Sequence, residues 1–180
     1  MQIIGGKHKK RKLFVPQTSL IRPTSSKLRE TVFNICQQEI VGARFLDLFA
    51  GSGAMGLEAL SRGAIHTTFV EKSALALIAI KRNVQLLDEE NQTTILRGNV
   101  FNLIPTLPSS FDVIYADPPY GKEMGDEVLH QIDKYQLLID GGMVFIEDSA
   151  FKTPHLNTLI LKKTYKVGAT LLVQYVQQKK

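Results

Sequence analysis

Cysteine occurs once in this 180-residue sequence, and the longest purely apolar run is only Ala74 to Ile80. A single thiol, Cys36, excludes an internal disulfide and fits a reducing compartment. The apolar runs are far too short to cross a bilayer as a helix. The basic N-terminal residues are not followed by the apolar core of an export signal, so a cytoplasmic location is expected. Metal-ligand clusters are lacking too: His8, His66, His130 and His155 are scattered, with no Cys partner at ligand spacing, and no metal is expected. Internal repeats and low-complexity segments are missing, which favours one domain over residues 1–180, with a monomer as the default.

Acidic residues are nearly absent from residues 1–30, where Lys7, Lys9, Lys10, Arg11, Lys12, Arg22, Lys27 and Arg29 face Glu30 alone. The rest of the chain is slightly acidic, although the whole carries a formal charge of +5. A basic segment on a slightly acidic body suggests a polyanionic partner. In IIGGKHKKRKLFVP, apolar ends flank a Gly-Gly and basic centre. Residues 1–24 are therefore expected to form a projecting arm or hairpin. Ser25 or Ser26 can cap the helix that follows, in which Leu28, Val32, Ile35, Cys36 and Ile40 recur at helical spacing. Cys36 is expected to pack in that stripe, since nothing nearby would stabilise a thiolate.

From Arg44 onward, strand-length apolar runs (Phe45–Phe49, Thr67–Val70, Thr94–Leu96, Val113–Ala116, Met143–Ile146) alternate with helical patterns (Ala54–Ser61, Ser73–Asp88, Glu123–Leu138). The third connection, Val100–Leu107, is shorter and cut by prolines. This alternation predicts an α/β fold, a mostly parallel sheet covered by helices on both faces. Leu159–Val167 and Thr170–Gln177 follow without an intervening helix, and the short Gly168-Ala169 link forces an antiparallel hairpin.

The stretch DLFAGSGAMGLEA contains a literal G-x-G-x-x-G, with Glu71 twenty residues beyond Gly51. Alone, this could serve a nicotinamide dinucleotide or another adenosine-bearing cofactor. Two further features bear on the choice. Asp47 ends the first buried strand, where a carboxylate is costly unless something satisfies it. Asp117-Pro118-Pro119-Tyr120 follows the fourth strand, at the carboxyl edge where open α/β sheets bind ligands. Asp47, Gly51 to Gly53, Glu71, Asn99 and Asp117 all end successive strands and would line one crevice.

D-x-x-x-G-x-G, an acid ending the second strand, and D-P-P-Y after the fourth resemble the class I S-adenosylmethionine-dependent methyltransferases. The terminal hairpin matches the seventh strand of that Rossmann-like fold. R-P-T (Arg22–Thr24), R-E-T-V-F-N (Arg29–Asn34), DLFAGSGAMGLEALSRGA, VEK and DPPY together resemble the bacterial RsmD family, which methylates a guanine N2 of small-subunit (16S) ribosomal RNA. The resemblance implies S-adenosylmethionine as cofactor and 16S ribosomal RNA, or a small-subunit assembly particle, as partner. It implies that Gly51, Ser52 and Gly53 let the backbone approach the methionine moiety and that Asp47 orients the cofactor's amino end. Glu71 would accept the ribose hydroxyls and Asn99 would face the adenine; Phe49, Ala50, Lys72 and Val100 complete the expected cofactor set. Asp117, Pro118, Pro119 and Tyr120 form the expected catalytic loop. The cations Lys7, Lys9, Lys10, Arg11 and Lys12 are expected on RNA phosphates, with Arg22 and Arg29 beside the active-site mouth. Alternatives are a DNA adenine or protein-glutamine methyltransferase, a non-catalytic RNA-binding protein, and an NAD oxidoreductase.

Overall fold

A computed structural model describes residues 1–16, 25–119, 124–148 and 154–179, so Arg22, the R-P-T motif and Tyr120 lie outside the described residues. Seven strands form one sheet: β1 (Arg44–Leu48), β2 (His66–Glu71), β3 (Thr93–Arg97), β4 (Phe111–Ala116), β5 (Leu138–Asp148), β6 (Leu159–Val167) and β7 (Thr170–Gln177). Their order is β3-β2-β1-β4-β5-β7-β6. The first five are parallel, and β7 and β6 close the sheet antiparallel. The helices are α1 (Ser26–Ile35), α2 (Ala54–Ser61), α3 (Ala74–Leu86), α4 (Val100–Leu103) and α5 (Met124–Lys134).

Strand alternation sorts the sheet's side chains into two cores, as the two-residue period requires. Phe45, Phe69, Val113, Tyr115 and Phe145 face α1, α2 and α3. Leu46, Leu48, Val70, Ile114 and Ile146 face α4 and α5. β1 lies between β2 and β4, where the winding reverses direction. That reversal opens a crevice at the carboxyl ends of the strands.

Ser25 caps α1, its hydroxyl accepting from Leu28 N at 3.2 Å. The helix stops at Ile35, and Ile40 is reached through a turn rather than a further helical turn. Cys36 is fully buried, and burial pushes its thiol up to about 12. It is a core residue. The expected helix over Glu123–Leu138 ends instead at Lys134, because Gln136 reverses the chain at φ 48° and Leu138 already pairs with Phe111. β5 therefore begins earlier than its apolar run, and a register shift lets it pass Gly141-Gly142.

Residues 1–16 do not project. Gln2 bridges Lys12 in an antiparallel turn that lies on α2 and α3. α2 is buried on every side, and the hairpin is what covers its outward face. Glu58, fully buried on that face, accepts from Ile4 N and Gly5 N, both at 2.8 Å. Ser61 accepts from His8 N through its hydroxyl and from Lys7 N through its carbonyl. A Cβ at Gly6, where φ is +73°, would lie 1.7 Å from the Ser61 carbonyl oxygen. Only glycine fits that approach. Among the described residues no helix is long and apolar enough to cross a membrane.

Candidate active site

The carboxyl ends of β1, β2, β3 and β4 surround a cavity of about 560 Å³. That volume is within the range of small-molecule sites, roughly 300–1,000 Å³. Phe49 and Gly51 from the glycine loop, Glu71 and Lys72 from the end of β2, Asn99 and Val100 after β3, and Asp117, Pro118 and Pro119 after β4 all line it. Tyr120 lies outside the described residues.

The glycine loop is held from three directions before any ligand arrives. Glu71, with only 9% of its surface exposed, accepts from Gly51 N at 2.8 Å through one oxygen. Its other oxygen accepts from Lys72 N at 2.8 Å and Ser73 N at 2.7 Å. The carboxylate is thus fixed in place, and the oxygen that receives only Gly51 N keeps a free lone pair. Below the loop, Asp47 Oδ2 accepts from Gly56 N at 3.0 Å, satisfying a donor in the first turn of α2 that has no partner within the helix. From the far side, Asn83 Nδ2 donates to the Ser52 carbonyl at 3.1 Å.

Chain geometry explains the glycine pattern. Gly53 caps α2 at φ 80°, a left-handed conformation. Gly56 matters for packing instead, since a Cβ there would lie 2.3 Å from the Phe69 ring. Its absence brings α2 down onto β2, the packing role expected of the third glycine in such a loop.

Asp47 is 1% exposed and does not line the cavity. Burial pushes its carboxyl up to about 8; the Gly56 N–H opposes this, and Glu71 and Asp117 add to it. The geometry therefore makes Asp47 the support beneath the loop, not a wall of the cavity. Ala50, Ser52 and Gly53 likewise shape the loop without lining the cavity. Asn99 is exposed and its side chain caps α4 by accepting from Phe101 N at 3.0 Å.

Val70, Ser73, Ala76, Gly98, Phe101 and Met124 line the cavity without having been expected there. Most adjoin expected residues, and Gly98 belongs to the same R-G-N-V run as Asn99, so position after a strand was their available signal. Met124 and Ala76 carried none. The set suits a ligand with a hydroxyl-bearing part near Glu71, a flat apolar part between Val70, Ala76 and Phe101, and a reacting group near Asp117. Among the described residues no cluster of His, Cys, Asp or Glu could hold a metal ion.

The expected phosphate contacts divide. Lys9, Lys10 and Lys12 are exposed. Lys7 pairs with Glu89 at 2.7 Å while keeping half its side chain exposed, and exposed Arg11 donates to the Leu86 carbonyl at 2.8 Å. Arg22 lies outside the described residues. Arg29 requires a correction: it is fully buried, 3.6 Å from Glu58 and donating to the Gln2 carbonyl at 3.1 Å. A guanidinium enclosed in this way cannot touch a phosphate on the surface. It shares Glu58 with Arg62, whose Nε donates to Glu58 Oε1 at 2.8 Å.

The sequence matches the protein family described as Conserved hypothetical protein 95 over residues 1–176. It is 33% identical to the ribosomal RNA small subunit methyltransferase D of Escherichia coli K12, a match covering 82% of this chain and 74% of that one. The solved structure of the Escherichia coli protein yhhF superposes with a TM-score of 0.90 at 28% identity, covering 100% of this chain and 99% of that one. An RNA methyltransferase from Salinibacter ruber, solved with S-adenosyl-L-homocysteine, shares the fold at TM-score 0.67 and 12% identity, covering 88% and 95% of the two chains.

Proposed function

Because the chain belongs to the family described as Conserved hypothetical protein 95, with ribosomal RNA small subunit methyltransferase D among its relatives, we propose that it methylates a guanine N2 in 16S ribosomal RNA. Family and fold carry transfer from S-adenosylmethionine; the guanine amine as acceptor is the step beyond them. The observation that carries the reading is the sharing of one cavity by Glu71 and Asp117-Pro118-Pro119, on opposite sides of the reversal in strand order.

The bound cofactor supplies an electrophilic sulfonium methyl. Glu71, already locked by three backbone N–H groups, accepts the ribose hydroxyls. Val70, Ala76 and Phe101 would hold the adenine, and the loop at Gly51 would take the methionine end. An exocyclic amine on guanine is a poor nucleophile because its lone pair is delocalised into the ring. Asp117 and the Pro118 carbonyl would accept hydrogen bonds from its two N–H groups, drawing the nitrogen toward tetrahedral geometry with its lone pair free for the methyl. As the thioether leaves, Asp117 is the carboxylate placed to take the one proton the amine loses. Alignment of this kind is the main contribution required. The prolines fix the loop and offer no competing N–H. Tyr120, next in the chain, is assigned to stack on the extruded base. The exposed cations Lys9, Lys10 and Lys12 of the hairpin are assigned to phosphates.

The test is to incubate the protein and methyl donor with unmodified 16S ribosomal RNA, and separately with small-subunit particles, then digest and identify the methylated nucleoside. N2-methylguanosine is expected, and Asp117→Ala should abolish it while S-adenosylhomocysteine affinity stays within about threefold. Methylated adenine, or a methylated glutamine in a protein substrate, would replace this reading.

A further inference from the structure

Asn83 sits in α3, one turn from its end, and is fully buried. The hydrogen bonds of its side chain to described residues all leave the helix. Its Oδ1 accepts from Phe14 N at 2.7 Å, and its Nδ2 donates to the Phe14 carbonyl at 2.9 Å and to the Ser52 carbonyl at 3.1 Å. Toward Phe14 the amide imitates a neighbouring β-strand, pairing with both backbone groups of one residue. Toward Ser52 it holds the middle of the glycine loop. A buried Asn satisfied only through distant backbone is costly to misplace, since each freed partner would be left unpaired in the interior. Helix packing alone does not call for an amide here; Val84, its neighbour, fills the core with carbon.

The two segments it joins have different roles under the proposed function. Gly51 lines the cofactor cavity, and Ser52 is the next residue. Phe14 ends the docked basic hairpin, with the Arg82 guanidinium stacked 4.3 Å from its ring centroid. We infer that Asn83 is a positioning residue that couples the cofactor loop to the Phe14 end of the hairpin, so that filling the cavity tightens Phe14 and the strand leading to it from Lys12 more than the end held by Glu58. This rests on the cofactor assignment made above. It implies that the methyl donor and RNA bind with positive cooperativity transmitted through one amide.

Amide hydrogen exchange with and without S-adenosylhomocysteine tests it on the full chain. Ile4 N and Gly5 N, held by Glu58 in the same hairpin, report any global slowing. The Phe14 amide should slow by at least about fivefold more than these two, the lower end of ordinary coupling between sites. In Asn83→Asp the acceptor for Phe14 N remains but both donated bonds are lost. The excess slowing at Phe14 should then vanish, and the affinity of RNA should no longer depend on S-adenosylhomocysteine. Equal slowing at Phe14, Ile4 and Gly5 in the wild-type protein overturns the inference, and this reading stands even where the variant fails to fold. Persistence of the excess in Asn83→Asp overturns it as well. A melting temperature unmoved by S-adenosylhomocysteine would instead remove the cofactor assignment on which it rests.

Discussion

Among the described residues two hairpins, one of residues 1–16 and one of β6 and β7, are held in opposite ways. The C-terminal one, β6 and β7, is a backbone ladder running from Leu159 paired with Gln177 to Val167 paired with Thr170. Its edge strand is mostly exposed and carries Lys162, Lys163 and Lys166, charges that discourage pairing with another chain. The N-terminal one has a single bridge, Gln2 to Lys12. Backbone bonds between Ile3 and Arg11 and between Leu13 and Met1 add little ladder; Ile3 and Leu13 enter the core, and buried polar side chains beneath dock the rest: Glu58, Ser61, Asn83 and, just after α3, Glu89. A ladder distributes its energy over many equivalent bonds, whereas the docked hairpin concentrates it in a few. Single substitutions should therefore be mild in one and severe in the other.

Glu58→Ala should have the largest effect. It leaves Arg29 buried without its counter-charge; the Nε and Nη2 of that guanidinium already lack hydrogen-bond partners among the described residues. Losing one member of a buried pair costs about 3–5 kcal/mol, measurable by urea unfolding, and the hairpin amides of Ile4 and Gly5 should lose exchange protection. A loss below about 1 kcal/mol would mean that Glu58 is not the anchor.

Gly6→Ala comes next, because its Cβ would meet the Ser61 carbonyl in a left-handed conformation. A destabilisation of about 1–3 kcal/mol, the usual cost of overpacking, is expected, with protection lost at Lys7 and His8. Gly168→Ala in the C-terminal turn has open space around it, though its φ is also positive at +65°. It should cost only the backbone strain, about 1 kcal/mol.

Asp133 anchors the start of the C-terminal hairpin. It accepts from Asn157 N, Thr158 N, Thr158 Oγ1 and Leu159 N where β6 begins. Burial alone would push its carboxyl up, but these hydrogen bonds outweigh burial and hold it below the ordinary value. An acid whose pKa is lowered by folding contributes stability above its unfolded pKa, near 3.9. That contribution is lost as pH falls through the folded value. Asp133→Asn should therefore flatten the decline in stability below about pH 4, read by thermal melts across the acid range. An unchanged acid profile would assign the decline to other carboxylates. The smallest effect should come from Lys7→Ala, about 0–1 kcal/mol, since its bond to Glu89 is half exposed.

The same contrast explains what could be read from sequence. β6, β7 and α2 fall at their expected bounds because apolar periodicity and the Gly168 turn are local signals. The cavity was legible through position: residues following strands of a parallel sheet converge on one edge, as Gly51, Glu71, Asn99 and Asp117 do. The docking of residues 1–16 was not legible. It depends on Glu58 and Asn83, which in the sequence look like ordinary polar helix residues, and on Glu89, which looks like an ordinary loop acid; all meet their partners only through the fold. Arg29 was misplaced for the same reason: a cation in a basic segment reads as surface until its acid is found. The end of α5 was missed because Gln136 turns the chain where no glycine or proline marks it.

Glu58 also sets an order of events during synthesis. Ile4 and Gly5 leave the ribosome early but can dock only after α2 has emerged, and Phe14 must wait longer still for Asn83. Contacts that join distant parts of the chain form slowly, because the loop between them must first be closed. Until then α2 carries an uncovered carboxylate on a helix that is otherwise ready to be buried, and the basic segment hangs free beside the nascent sheet. Residues made before α2 and α3 are thus among the last to take their places.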